Sequence, residues 1–343
     1  MSIRIGKFIL RRFASGVFVL FGVTLITFIL AHLVPGNPIF AWIGKEAAQR
    51  PELVQAYIKK YHLNDPLYLQ YIYYVNGLLH LDLGYSPTRG EPVAVAISQT
   101  LPYTLQLVFL ALIFIVVLGS LTGIVAAKYS GKLPDRIIYS FYVFGVASPP
   151  FFVALVLILI FSLVLPVLPT GGLIDISVPV PYHIIGLPLL DALIEGNVSA
   201  FSSLLFHAIL PSLALALTVF GLLTRVLRAN ILGLLNSGFV RAARARGVSE
   251  NRIFFGYAFK NSLMSVITLT SILTVFVLVG DIFVEYVFAY PGMGQYAVQA
   301  ALYLDYPAIL GTTLTYATII VIVNVLTDLL YGLVDPRVRY AQH

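Results

Sequence analysis

Cysteine is absent from this 343-residue chain, and only 10% of its residues are charged. The first absence excludes disulfides and thiolate metal centres, and leaves the redox compartment unread. The second excludes an ordinary soluble domain, in which about a quarter of the residues are charged. No G-x-x-x-x-G-K-[ST] occurs, so the chain carries no P-loop of its own for ATP. No H-E-x-x-H and no close cluster of histidines and carboxylates has the spacing of a metal site. No catalytic constellation stands out, so we assign no catalytic residue and no metal ligand.

Apolar sequence dominates: 59% of the chain is hydrophobic. Six runs reach the roughly 20 predominantly apolar residues that a membrane span needs. They lie near 13–34, 103–127, 137–165, 204–227, 263–284 and 308–333. The first follows Arg4, Lys7, Arg11 and Arg12 in the manner of a signal peptide. Its apolar stretch is too long for a cleaved signal and no small-x-small site follows, so we read a retained span. The segments between spans are 36–100, 166–203 and 285–305 on one side, with 128–136 and 225–262 on the other. The first is the longest and mixes amphipathic helix signals with Pro and Gly breaks. Its Tyr68, Tyr71, Tyr73 and Tyr74 suit an interface, where ring and hydroxyl face different solvents.

A net charge of +6 raises nucleic acid as a partner, but charge that orients a membrane protein explains it better. Of the 21 basic residues, 16 fall at the two termini or in segments 128–136 and 225–262. The remaining five, Lys45, Arg50, Lys59, Lys60 and Arg89, all lie in the one long segment opposite. The positive-inside rule then places both termini and the 225–262 segment in the cytoplasm. The fold expected is all-α: a polytopic membrane protein of about six spans, N-in and C-in, with a long first extracytoplasmic loop. The parts are a cytoplasmic N-terminus (1–12), a first span (13–34), an extracytoplasmic segment (35–102) and a core (103–343) whose cytoplasmic connection is about 229–262.

A secondary carrier would place an ionisable site near the bilayer midplane. Asp328 lies about eight residues from the middle of the last run, roughly 12 Å, and so near the edge. Asp281, His32 and His207 also fall at span ends, where polar groups snorkel at small cost. Asn324 and Asp328 share a helix face at i, i+4.

The densest charge is in "FVRAARARGVSENRIFFGYAFK", Phe239–Lys260, with five basic residues and one acid, Glu250. "FVRAARAR" is a good helix former. Gly247 follows a basic last turn, the pattern of a helix stop that needs φ > 0. Ser249 is placed to cap a second helix near Glu250. Arg241 and Arg244 stand one turn apart, and Ala242, Ala243 and Ala245 offer a small surface. On these residues alone, topogenic charge resting on anionic lipid and a docking knob for a cytoplasmic partner are equally good readings.

"RAARARG" (Arg241–Gly247) resembles the Glu-Ala-Ala-x-x-x-Gly loop of ABC-importer permease subunits, in the variant of the dipeptide/oligopeptide/nickel permease family. The resemblance covers nearly the whole chain: "HLVPGNP" (32–38), "LDLGYS" (81–86), "QTLPYTLQL" (99–107), "SPPFFVALVLILIFS" (148–162), "LPTGG" (168–172), "FAYPGMGQYAVQAALYLDYPAILG" (288–311) and "LVDPRVRY" (333–340). The order is that of the B-type permease. Two departures stand out: Arg241 occupies a position that is Glu in the wider superfamily, and Ser265 one that is usually Pro.

The resemblance implies one permease subunit of a binding-protein-dependent importer in the cell membrane. It implies a related C-type permease, two ABC ATPase subunits that bind ATP-Mg, and an extracytoplasmic solute-binding protein as partners. It adds membrane lipid as surroundings and gives no role to nucleic acid and no cofactor to this chain. Arg241, Ala242, Ala243, Arg244, Arg246 and Gly247 become the coupling helix to the ATPase, with Arg244 and Arg246 as rim contacts. Tyr290, Pro291, Gly292 and Gly294 become an extracytoplasmic turn. The implied substrate is a di- or oligopeptide, with an oligosaccharide as alternative; a stand-alone secondary transporter is the rival outside the class.

Overall fold

The computed structural model describes residues 2–33, 42 and 49–334. Most of "HLVPGNP" and "LVDPRVRY", with Lys45, Arg337 and Arg339, lies outside the described residues, as does the Asp328 side chain. The chain is all-α and crosses a membrane several times. Five helices are long and apolar enough to span: Ala14–Leu33, Val93–Lys128, Val198–Leu235, Glu250–Val287 and Tyr306–Thr327. The pair Leu133–Ala147 and Pro150–Val164, bent by 113°, is apolar enough to make a sixth if it is taken as one broken span. The only sheet among the described residues pairs Tyr85–Ser86 with Glu91–Pro92.

That bend corrects the expectation of one continuous third span over 137–165. Ser148 and Pro149 both take extended backbone, with ψ of 131° and 144°. A proline pushes the residue before it out of the α region, and two in succession remove two N–H donors. The helix therefore stops at Ala147 and restarts at Pro150, a favoured first helical residue.

Three other spans, Val93–Lys128, Val198–Leu235 and Glu250–Val287, run longer than their apolar runs. Val93–Lys128 holds 36 residues and passes through Pro102; Val198–Leu235 holds 38 and passes through Pro211. The second opens on Asn197, whose side chain accepts from the Ala200 N–H at 3.0 Å, a side-chain N-cap.

The chain forms two compact units: residues 1–104 with 291–325, and 105–290 with 326–343. The second is built on helix Val198–Leu235. In its most apolar stretch 61% of residues are buried, against 22–28% in the other single-helix spans, so it is the core helix of that unit. Gly119 and Gly123 let the 105–128 stretch come close to it. A Cβ at either would sit 2.7 Å and 3.0 Å from Leu223 and Leu227 respectively. Small residues four apart are how membrane helices pack closely. Thr122 and Thr224 hydrogen-bond across the same contact at 2.7 Å. At the cytoplasmic turn, Arg228 grips both oxygens of Asp135 at 2.8 Å, a bidentate pair.

The first unit packs Phe28 and Ala31 of the first span against Trp42, Tyr306 and Leu310. Two short helices, Pro51–Tyr61 and Leu67–Leu79, complete this core with Tyr61, Tyr71 and Tyr74. The tyrosine-rich stretch is thus helical, and Tyr71 and Tyr74 face inward.

Candidate coupling helix and extracytoplasmic clasp

Gly238–Ala245 is a helix of eight residues joined to the 198–235 span through Asn236 and Ser237 alone. It ends as its sequence demands. Gly247 has φ +77°; its N–H donates to the Arg244 carbonyl at 2.9 Å, and the Val248 N–H to the Ala243 carbonyl at 3.2 Å. This is a Schellman stop, with glycine at the left-handed position and an apolar residue after it. Val240, Ala243 and Ile253 are fully buried together, flanked by Leu235 and Val248. The helix is therefore fastened to its own turn by one apolar stripe.

The opposite face is open. Arg241, Ala242, Arg244, Ala245, Arg246 and Gly247 are all exposed. Ala243 is not: it belongs to the stripe, so the small outer surface consists of Ala242 and Ala245. Arg244 is engaged within the chain, its Nε and Nη2 donating to Glu250 at 2.7 Å and 3.1 Å. This contact also raises the guanidinium pKa above its ordinary value. Arg241 and Arg246 form no ion pair among the described residues and carry the free charge of the face. Ser249 was expected to cap the next helix, but its side chain accepts no cap hydrogen bond. The Arg244–Glu250 pair closes the turn instead. Beyond it, a wide π-helical stretch, Ile253–Phe259, runs straight into helix Lys260–Val287. Ser265 there accepts from Asn230 Nδ2 at 2.6 Å, a partner that a proline at this position would not offer.

In "YPGMGQ", expected as an extracytoplasmic turn of Tyr290, Pro291, Gly292 and Gly294, neither glycine takes left-handed backbone. The left-handed residue is Ala289, φ 49°, whereas Gly292 is extended, with φ −84° and ψ −179°, before helix Met293–Tyr303. Tyr290 is fully buried and its hydroxyl accepts from Gln106 Nε2 at 2.8 Å. Gln106 Oε1 in turn accepts the Leu189 N–H at 2.9 Å. One amide thus ties the second span, the 166–203 segment and Tyr290. In "LPTGG", Gly172 N–H donates to the Phe288 carbonyl at 2.8 Å.

Within the first unit, the Met293 N–H donates to Thr104 Oγ1 at 2.8 Å. Asp305 is 1% exposed yet fully used. It accepts from the Ser86 hydroxyl, from the Thr88 N–H at 3.2 Å and, as N-cap of the last span, from the Ala308 N–H at 3.1 Å. Ser86 also accepts the Arg89 N–H, and the Arg89 guanidinium sits 4.6 Å from the Tyr296 ring centre. Burial pushes the Tyr296 phenol up to about 12. Asp305, Ser86, Arg89, Tyr296 and Gln106 carry no role in the sequence reading. One signal was available: Asp-Tyr-Pro before an apolar run is an N-cap acid with proline in the first turn. Among the described residues no group of three or more ligands is placed to hold a metal ion.

Residues 119–340 match the family described as binding-protein-dependent transport system inner membrane component, and residues 5–108 match its N-terminal companion. The chain belongs to this family. Its relatives include the probable D,D-dipeptide transport system permease protein DdpB of Escherichia coli (strain K12), 37% identical over 96% of this chain and 97% of that protein. The di/tripeptide transport system permease protein DppB of Pseudomonas aeruginosa (strain UCBPP-PA14) is 33% identical over 97% and 99%. The oligopeptide transport system permease protein AppB of Bacillus subtilis (strain 168) is 33% identical over the same shares. The chain is therefore a multi-pass inner-membrane permease component. None of these names supports the oligosaccharide alternative.

Proposed function

We propose that this permease forms half of the path of an ATP-driven importer for di- or oligopeptides. A related permease supplies the other half, and an extracytoplasmic solute-binding protein delivers the substrate. Two ABC ATPase subunits bind ATP-Mg. The peptide assignment rests on relatives named for dipeptides, di/tripeptides and oligopeptides across nearly their full length.

The observation that carries the coupling role is the Gly238–Ala245 helix itself. It has a buried stripe, an exposed basic face and almost no slack on either side. The connection read as a loop over 229–262 is mostly helix: one span runs on to Leu235 and the next resumes at Glu250. A groove on an ATPase that takes Ala242 and Ala245, with acidic groups near Arg241 and Arg246, would hold this helix by shape and steer it by charge. Pulling it would move two spans together, as an alternating-access cycle requires. Ala243 and Gly247 shape the element rather than touch the partner.

The test is purification of the full-length chain from its native cells in mild detergent, with mass spectrometry of what accompanies it. A second permease and one or two P-loop ATPases are expected. A chain that purifies alone and moves solute without ATP overturns the proposal.

A further inference from the structure

The first unit contains a cavity of about 110 Å³ at the outer ends of two spans. Phe28 of the first span and Pro307 at the start of the last both reach it. With the termini inside, this is the depth of the outer headgroups. Trp42, Tyr61, Tyr73 and Tyr74 supply aromatic wall, with Lys60 and Asp82 beside them. Trp42 is 6% exposed, yet its indole N–H has no hydrogen-bond partner among the described residues. The Tyr74 hydroxyl is buried in the same condition. Two buried polar groups left unpaired beside one cavity are unfavourable unless something fills it.

The chemistry of that group can be read from the wall. An indole N–H and a phenol O–H with a nearby ammonium suit an anionic oxygen acceptor. Aromatic faces with the Asp82 carboxylate suit a cation. A cavity of about 150 Å³ takes benzene, so this one admits a fragment of about that size or less, smaller than a whole dipeptide. The adjacent helix Leu67–Leu79 holds no charged residue and leaves Leu67, Tyr68, Ile72 and Leu79 exposed by 56–78%. An uncharged, tyrosine-rich helix with a bare apolar face is built to lie in a membrane interface.

We infer that this cavity is a phospholipid site: it takes the phosphate-ammonium headgroup of an outer-leaflet lipid of the phosphatidylethanolamine class. The phosphate accepts from Trp42, Tyr74 and Lys60, the ammonium lies toward Asp82 and the rings, and the acyl chains run over the apolar face of Leu67–Leu79. The bound lipid fixes the extracytoplasmic segment to the first and last spans. The inference stands whether or not the transported solute is a peptide.

Trp42 is the only tryptophan in the chain, so its fluorescence reports the cavity directly. Full-length protein in detergent is titrated with dihexanoyl-phosphatidylethanolamine, dihexanoyl-phosphatidylglycerol, inorganic phosphate and glycyl-leucine. A saturable change with phosphatidylethanolamine is expected, with phosphatidylglycerol weaker by about tenfold for want of the cation. Lys60→Ala and Tyr74→Phe should each weaken binding by about tenfold without lowering the melting temperature. The inference falls if both lipids bind equally, if neither saturates, or if the two variants bind as the parent does. Inorganic phosphate binding as tightly as the lipid would make this a simple anion site. Glycyl-leucine displacing the lipid would make it a substrate vestibule.

Discussion

The cytoplasmic helix Gly238–Ala245 and the extracytoplasmic clasp around Asp305 solve opposite problems with similar means. Both are turns next to spans, and both rest on a carboxylate that receives hydrogen bonds. Glu250 receives a guanidinium in the open, with the two side chains 68% and 42% exposed. Asp305 receives a hydroxyl and two backbone N–H groups at 1% exposure. In water an ion pair adds little to stability and is readily exchanged. Away from water the same acceptor cannot be left unmatched. Under the proposed function the exposed turn is free to trade Glu250 for a partner's groups, whereas the buried one is committed to its own chain. An exposed turn and a buried joint differ here in solvent access more than in residue type.

That contrast can be attacked directly. Asp305→Ala is the harshest test, since it strips the N-cap of the last span and leaves the Ser86 hydroxyl and the Thr88 N–H unmatched. We expect a loss of about 3 kcal/mol, read from denaturant melts of the purified chain. A loss near zero would mean that the clasp is incidental.

Gly247→Val comes next. A Cβ there meets nothing within 4 Å, so crowding is not the issue; φ of +77° is. Holding valine in that region costs about 1–2 kcal/mol locally. The span helices should stay folded while the helix exits at a new angle. Under the proposed function, uptake in proteoliposomes falls while ATPase activity is retained. Normal uptake would remove the helix from the coupling role.

Glu250→Ala is the mildest. It frees Arg244 and should leave the melting temperature unmoved, while changing the salt dependence of ATPase association. A clear drop in melting temperature would show the pair to be structural, and the comparison would fail at its centre.

Much of this architecture was legible because the bilayer demands long apolar runs, and charge bias sets their direction. Gly247 was legible too, since a basic last turn followed by glycine has few other uses. The bent third span was within reach: Ser148-Pro149-Pro150 announces a break, but the unbroken hydropathy around it hides the signal. The Ala243 orientation needed the position of Val240 and Ile253, which no run of alanines reveals. The clasp was out of reach. Ser86 and Asp305 lie 219 positions apart, and nothing in either motif names the other. The left-handed residue before "YPGMGQ" was out of reach too: it is Ala289, held by the Tyr290 N–H on the Glu285 carbonyl at 2.9 Å, and nothing about an alanine announces that conformation.

The length of helix Val198–Leu235 has one more consequence. At about 1.5 Å per residue its 38 residues make a rod of roughly 57 Å, almost twice the thickness of the hydrocarbon it crosses. A rod that long is a lever. Pivoting at one end by about 5°, it carries the other through roughly 5 Å, close to one helical turn. Because only Asn236 and Ser237 intervene before the Gly238–Ala245 helix, under the proposed function a nudge of a few ångströms on that helix would arrive as a few degrees of tilt along the whole core.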